Sequence, residues 1–392
     1  MSADLLDLVI VGGGHAGLWL GAAVARAGLS VVLVDPLSPP AVGAVPADGR
    51  TLALLGGSRR VAVAQGIWAD VAAVGHPVRR VEVLEPVSGA RVAYEAAAFG
   101  LDLFAVGVES QALRKALATS FLAAAGEAAW LSGRLAAWRR DGAAVVVELA
   151  AGQQLRARLL VGADGRGSAV RARARIALSR ATYGQSALAF VVRHERPHGD
   201  AVRERLRAAG PLALLPVGPC RCGVTWVEPE AAAQRLARAP AEELLHRLDE
   251  ATGGVLGAMV LDSPVAAWPL GAQHARRYVA PRVALIGDAA HGVHPIHAQG
   301  FNMGVADIAA LLEHLVAARA AGRDIGAADV LLAYERARWW DNERRLRLTD
   351  GLNRLFSNDL QPARLVGGAV LRALDTIPPL KALAVREGMR AG

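Results

Sequence analysis

Residues 8–35 read Leu8-Val9-Ile10-Val11, then Gly12-Gly13-Gly14-His15-Ala16-Gly17, then an alanine-rich stretch to Ala27, then Ser30-Val31-Val32-Leu33-Val34-Asp35. Two short apolar runs flank a segment of helical character, which predicts strand, turn, helix and strand, the right-handed unit of a parallel sheet. The glycine spacing gives each residue a duty. Gly12 serves the tight turn, Gly14 lets the backbone approach a pyrophosphate, and Gly17 lets helix and strand pack closely. The helix start aims free N–H groups and the positive end of its dipole at that phosphate. Asp35 ends the second strand at about the offset where a carboxylate binds ribose hydroxyls. A glycine-rich turn without a ligand is the bland alternative, and strand, loop, helix and terminal acid together argue against it.

A second signature lies far along the chain: Arg282 to Ile286, Gly287-Asp288-Ala289-Ala290-His291, His294-Pro295 and Ala298-Gln299-Gly300-Phe301-Asn302-Met303-Gly304. A buried strand ends in a glycine and a carboxylate, and a polar loop then opens a long helix. The first fingerprint alone does not separate NAD from FAD, because both carry the ADP half. One cofactor long enough to touch both signatures is FAD, with Asp288 on its ribityl and ribose hydroxyls. No second glycine fingerprint for a resident nicotinamide is present, so NAD(P)H or another electron donor is expected to visit transiently.

The bulk properties narrow the remaining classes. The chain has 392 residues, 53% hydrophobic and 20% charged, a globular balance that excludes disorder. Its mean hydropathy of +0.29 is high. Alanine accounts for much of it, and no run reaches the roughly 18 uninterrupted apolar residues of a membrane span. The start of the chain shows no basic region or cleavage site, which leads to the expectation of a cytoplasmic address. Cys220 and Cys222 are too few for a disulfide framework, and no metal site is expected. The formal charge is +8, but Lys115 and Lys381 are the only lysines and the arginines are spread among acids. Nucleic-acid binding is therefore not expected, while an anionic lipid surface or a phosphate-bearing cofactor is.

Between the signatures, Val78 to Val87 and Arg91 to Tyr94 alternate like strands of a smaller sheet, and Leu113, Leu117 and Phe121 predict a helix over 110–125. Val145 to Leu149 and Leu155 to Val161 read as neighbouring strands, the second ending at Gly162-Ala163-Asp164-Gly165. Ala187 to Val192 and Cys222 to Val227 are strand-like, and a charged helix is expected from Ala231 to Ala251. A helix is expected from Met303 to Ala321, with Asp329 as the N-cap of the next.

These motifs, in this order and spacing, resemble the single-component FAD-dependent aromatic hydroxylases. The ubiquinone-biosynthesis hydroxylases resemble the chain most closely, through the loop His294-Pro295 to Gly304 and through Tyr334, Arg338, Asn342, Asp350, Leu355, Phe356, Asp375 and Pro378-Pro379-Leu380-Lys381. The resemblance implies an α/β (α+β overall) fold: a Rossmann-like GxGxxG FAD domain, an inserted β-sheet substrate domain and a C-terminal helical tail. The expected division is 1–75 with 99–180 and 265–325 for the FAD domain, 76–98 with 181–264 for the substrate domain, and 326–392 for the helical region.

The resemblance also implies roles. Gly12, Gly14 and Gly17 would contact the pyrophosphate and Asp35 the adenosine ribose. Arg50 and Arg114 would flank the cofactor, and Asp164 with Gly165 would lie beside it and the donor route. Gly287 and Asp288 would serve the ribityl chain, while Pro295, Gly300, Phe301 and Asn302 would frame the isoalloxazine ring. His297-Ala298 stand where the family usually carries an alanine-like residue and glycine, so His297 is a candidate proton relay or a pocket wall. His291 and His294 read as loop organisers.

The implied reaction is hydroxylation of an aromatic ring by O2 through a C4a-hydroperoxyflavin, with a polyprenylated phenol of ubiquinone biosynthesis as the expected substrate. A helix opening near Asn302 would stabilise negative charge on the reduced ring. A hydroxylase of a small soluble aromatic and a non-catalytic flavin-binding assembly protein are the rivals. Trp339-Trp340 among Arg336, Arg338, Arg344, Arg345 and Arg347 suggests contact with the inner membrane or a biosynthetic complex, or a helix packed on its own domain.

Overall fold

In the computed structural model, which describes residues 5–295, 298–357 and 361–389 and the side chains of all but 361–365 of these, the opening unit forms as expected. The strand Leu6–Val11, the helix His15–Arg26 and the strand Val31–Asp35 follow one another, and the two strands pair in parallel. Leu8, Val9 and Ile10 are fully buried, as are Leu18, Trp19 and Leu20 of the helix. Such an apolar strand covered on both faces is what a parallel sheet requires.

That sheet has eight strands, with Val283–Leu285, Gln154–Gly162, Leu6–Val11 and Val31–Asp35 side by side. The pairs along this row are all parallel. The carboxyl ends of four strands therefore lie on one edge, and each runs directly into a motif: Gly12, Asp35, Ala163-Asp164 and Gly287-Asp288. Ligands of doubly wound sheets bind at that edge. Chain positions hundreds of residues apart become neighbours for this topological reason alone.

A second, nine-stranded sheet is mostly antiparallel and takes the strands Arg80–Glu85, Ala90–Glu95, Leu178–His194, Ala201–Arg205, Leu212–Gly218, Arg221–Pro229, Ala266–Ala275 and His291–Gly292 in its main path. Its own core joins Leu188, Phe190, Val192, Val224 and Trp226 to Leu244 and Leu248. The strand Ala266–Ala275 continues this sheet through its pairing with Leu178–His194. A small third sheet pairs Thr51–Leu55 with Ala105–Glu109 and packs on both others, Leu54, Val106 and Val108 in the core of the parallel sheet and Ala53 and Ala105 against Val191, Leu215 and Val217 of the second.

Three local expectations need correction. The charged helix is two helices, Glu230–Leu236 and Ala241–Thr252, because Pro240 offers no N–H to continue the first. The helix expected from Met303 begins earlier, over Gln299–Ala320. By composition that helix is long and apolar enough to cross a bilayer. Yet Val305, Ile308, Leu311 and Leu315 are buried in the core that also holds Leu8 and Trp19. Asp329 is not an N-cap: the helix Ala328–Phe356 starts after Ala327 without a side-chain cap, and Asp329 pairs with Arg323. The tail closes with the helices Gln361–Thr376 and Pro378–Gly388.

Candidate functional site

The glycine loop is shaped by three different constraints. Gly12 sits at φ +111°, and a Cβ there would lie 2.3 Å from the carbonyl oxygen of Ala163. At Gly17 a Cβ would come within 1.9 Å of the Gly12 carbonyl. Both positions are closed by the protein itself. At Gly14, in contrast, a Cβ would meet nothing within 4 Å. Its backbone faces open space at the start of a helix whose first turn has no side-chain cap, so the first N–H groups of the helix have no side-chain acceptor.

Asp35 and Arg114 hold this loop in place. The Gly13 amide donates to Asp35 Oδ2 at 2.7 Å and the Leu37 amide to Oδ1 at 2.9 Å. Arg114, on the helix Ser110–Ala125, donates from Nε to the Gly13 carbonyl at 2.8 Å and reaches Asp35 at 3.4 Å. Asp35 is 7% exposed, and a carboxylate with two backbone donors retains lone pairs for hydroxyl donors. Arg50 is half exposed, pairs with Asp48 and lies over Trp268 at 4.6 Å from the ring centre. That contact bridges the small sheet to the large one.

The opposite wall is built from the other two strand ends. Asp164 caps the short helix Ala169–Arg173: its carboxylate accepts from Ser168 Oγ and from the amides of Ala169 (2.7 Å) and Val170 (3.1 Å). Gly165 makes the turn at φ +78°. Arg171, buried, then donates to the carbonyls of Ala289 and Arg166, both at 2.8 Å. The segment of Asp164 is thereby tied to the segment of Asp288. Gly287 adopts φ +56°, and a Cβ there would approach Ala16 to 3.2 Å. Asp288 itself is exposed while its neighbours are buried, its carbonyl accepts from Gln273 Nε2 at 2.9 Å, and its carboxylate has no hydrogen bond to any described residue.

The third wall is the start of the helix Gln299–Ala320. Ala298 stands at φ +51° as its N-cap and offers no capping side chain, and its amide donates to the Pro295 carbonyl at 3.1 Å. The Asn302 side chain is fully engaged within the protein. Its Oδ1 accepts from the Leu55 amide at 3.0 Å, and its Nδ2 donates to the carbonyls of Ala53 and Ala298 at 2.8 and 2.7 Å. It fastens the helix start to the strand Thr51–Leu55. Gly300 has room beside it, its nearest neighbour being Val293 at 3.4 Å from a built Cβ. Phe301 meets His15 edge-on at 5.8 Å and Trp19 at 6.1 Å, which joins the two helix starts. His297 lies outside the described residues.

His15 is the residue that sequence reasoning passed over. Its Nε2 lies 2.8 Å from the Ser110 carbonyl. Burial lowers its pKa, and Arg50 and Arg114 push the same way against the Ser110 carbonyl and Asp288. Four residues far apart in sequence thus share one electrostatic environment. The only hint in the sequence is its place inside the glycine fingerprint.

Two uncapped helix starts, an open glycine and the Asp288 carboxylate, unengaged among the described residues, gather around His15, which feels Arg50, Arg114 and Asp288 and meets Phe301. Backbone N–H groups suit a diphosphate, and the Asp35 and Asp288 carboxylates suit the hydroxyls of ribose and ribityl chains. This donor and acceptor set fits FAD.

Comparison with known proteins agrees. Residues 6–344 match the family described as FAD binding domain. Over 389 residues the chain is 39% identical to the ubiquinone hydroxylase UbiL of Rhodospirillum rubrum, covering 99% of this chain and 90% of the relative. It is 32% identical to the 3-demethoxyubiquinol 3-hydroxylase of Escherichia coli, covering 99% of this chain and all of that one. Among solved structures, pqsL, a probable FAD-dependent monooxygenase from Pseudomonas aeruginosa, superposes with a TM-score of 0.77 at 26% identity, over 93% of this chain and 99% of that one. The chain belongs to the FAD-dependent aromatic monooxygenases, in the ubiquinone hydroxylase family.

Proposed function

We propose that the protein hydroxylates the aromatic ring of a polyprenylated phenol on the route to ubiquinone. The observation that carries this reading is the grouping of an open Gly14, two uncapped helix starts and an Asp288 carboxylate unengaged among the described residues, in a chain alignable end to end with ubiquinone hydroxylases. FAD, when bound, supplies the electron transfer to O2 that yields the hydroxylating oxygen.

The chain's own residues hold and shape the site. The Gly12–Gly17 turn takes the pyrophosphate, Asp35 the adenosine ribose, and Asp288 the ribityl hydroxyls. Arg50 and Arg114 place positive charge beside the phosphates, and Asp164 with Gly165 sets the wall next to the donor route. Pro295 and the Gly300, Phe301 and Asn302 turn frame the ring, where N–H groups of the helix start stabilise negative charge. His297 is assigned to the same loop, as a proton relay or a wall. A nicotinamide or another reductant visits transiently. We assign 1–75, 99–180 and 265–325 to the FAD domain, 76–98 and 181–264 to the substrate domain, and 326–392 to the helical region, with Ala266–Ala275 continuing the substrate sheet.

We further propose that the protein works at the inner membrane as a peripheral protein. On the two last helices and at Ile377 between them, Val366, Val370, Ile377, Leu380 and Leu383 are exposed, at 39–53%, on the same segment as Arg372, Lys381 and Arg386. Such a face suits an anionic bilayer surface holding a prenylated substrate. The test supplies purified protein with a prenylated phenol in vesicles, a reductant and isotopically labelled O2. The expected product carries one labelled oxygen on the ring. Oxygen consumption without labelled phenol would overturn the substrate assignment, and no flavin-dependent oxygen consumption at all would favour an assembly role.

A further inference from the structure

We infer that Asp307, Arg338 and Asn342 form a positioning assembly through which the helix Ala328–Phe356 sets the affinity of the Asp288 loop for the flavin. The inference rests on the reading of Asp288 as the ribityl ligand and goes beyond it.

Asp307 lies on the helix Gln299–Ala320 and is fully buried. Its two oxygens accept from two separate elements. Oδ2 receives His291 Nε2 at 2.6 Å and the Gly287 amide at 3.1 Å, both from the cofactor loop. Oδ1 receives Arg338 Nε at 3.0 Å and Asn342 Nδ2 at 2.9 Å, both from the helix Ala328–Phe356. Arg338 is itself 2% exposed, and it donates again to Asn342 Oδ1 at 2.8 Å and to Asp341 at 3.1 Å.

Two further contacts run from the same helix to the same region. Tyr334 donates its hydroxyl to the Leu285 carbonyl at 2.7 Å, at the end of the strand that enters the loop. Arg345 bridges Asp341 at 2.9 Å and Gln299 Oε1 at 3.1 Å, at the start of the helix that leaves it. The Asp288 segment is thus gripped on both sides, by Asp307 through the Gly287 amide and by Gln273 through the Asp288 carbonyl, while the carboxylate has no hydrogen bond among the described residues.

A buried ion pair is a poor source of net stability, because desolvation opposes the attraction. Its geometric effect is more definite: four directed hydrogen bonds on one carboxylate fix the loop before the ligand arrives. Such preorganisation removes an ordering cost from binding. Removing Arg338 leaves Asp307 charged and short of a partner, and the strain falls on the Gly287 amide.

The test measures FAD dissociation constants for the apoprotein by quenching of flavin fluorescence in the wild type, Arg338→Met, Asn342→Leu, Asp288→Ala and the double variant Arg338→Met with Asp288→Ala. Leu331→Ala, in the core of the same helix but outside the assembly, is the control for simple loss of rigidity. Asp288→Ala is expected to weaken FAD binding, and Arg338→Met to weaken it about tenfold. The double variant should lose less than the product of the two, by about threefold or more.

Leu331→Ala should lower the melting temperature and leave FAD affinity unchanged. If Arg338→Met fails to fold, Asn342→Leu carries the same expectation. Should Asp288→Ala bind FAD normally, the reading of Asp288 fails and the inference falls with it. If Asp288→Ala weakens binding but the assembly variants do not, or if the effects multiply, the inference alone is overturned. Equal weakening by Leu331→Ala overturns it as well.

Discussion

The Gly13 amide donates to Asp35 Oδ2 at 2.7 Å across 22 positions of sequence, so the acid that ends the second strand also sets the shape of the turn that ends the first. Asp35→Ala therefore removes a buried charged acceptor and the proposed ribose ligand together. The apoprotein is expected to lose roughly 1.5–3 kcal/mol of stability in denaturant melts, and FAD titration should show weaker binding. A variant with unchanged FAD affinity would contradict the role of Asp35 in the site.

The three glycines separate structure from function. Gly14→Ala meets no neighbour within 4 Å, so it should fold with a melting temperature close to wild type and fail to retain FAD. Gly12→Ala and Gly17→Ala would place a Cβ at 2.3 and 1.9 Å from backbone oxygens, and both should be poorly soluble or unfolded. Comparable flavin content in Gly14→Ala and wild type would remove the pyrophosphate from this turn.

Ala298 holds a left-handed backbone at φ +51°, a conformation that costs a non-glycine residue about 1–2 kcal/mol. Glycine loses more entropy on ordering, by roughly 0.5–1 kcal/mol. Ala298→Gly should thus be neutral to stabilising by up to about 1 kcal/mol, read as a melting temperature equal to or above wild type. A clear drop would show that the loop relies on the alanine methyl.

Two buried groups predict the acid limb of stability. Burial lowers the pKa of His294 from 6.5 to about 4. The unfolded chain takes up this proton near 6.5 and the folded chain only near 4, so stability falls as pH drops through that window. For Asp307 burial pushes the pKa up, but His291, Arg338 and Asn342 outweigh it and hold the carboxyl at about 2, below its ordinary 3.8. Its contribution is complete above about 3.8 and fades as pH falls toward 2. Denaturant melts across this range check both, and His294→Gln should flatten the upper part. A wild-type profile already flat between 6.5 and 4 would contradict the buried state of His294.

The proposed membrane contact has a direct readout. Leu380 and Leu383 are 41% and 47% exposed, and replacing both with serine should reduce cosedimentation with acidic lipid vesicles without altering the far-ultraviolet spectrum. Equal sedimentation of wild type and double variant would contradict the proposed contact through these helices.

Much of this architecture could be read from local pattern. The Leu6–Val11, His15–Arg26 and Val31–Asp35 unit and the Ser110–Ala125 helix show in strand and helix periodicity, because each buries a regular apolar face. Gly12, Gly14 and Gly17 carry their duties in their spacing. The functions of long-range side chains do not. Asn302, expected beside the ring, also fastens two elements through its side-chain amide, and Asp164, expected beside the cofactor, also accepts from the first amides of a helix; both sets of contacts depend on partners that only the folded topology supplies. Asp307 gave no signal, since its four donors come from positions 287, 291, 338 and 342. The split at Pro240 was legible in principle, because proline interrupts any helix that includes its amide.

In the proposed binding mode one flavin bridges the Gly14 turn and the Asp288 loop. Titrating apoprotein with FAD measures it most directly. The account predicts saturation at one FAD per chain, with binding lost in Gly14→Ala and weakened in Asp288→Ala while both proteins stay folded. A wild-type protein that remains colourless after incubation with FAD would contradict it.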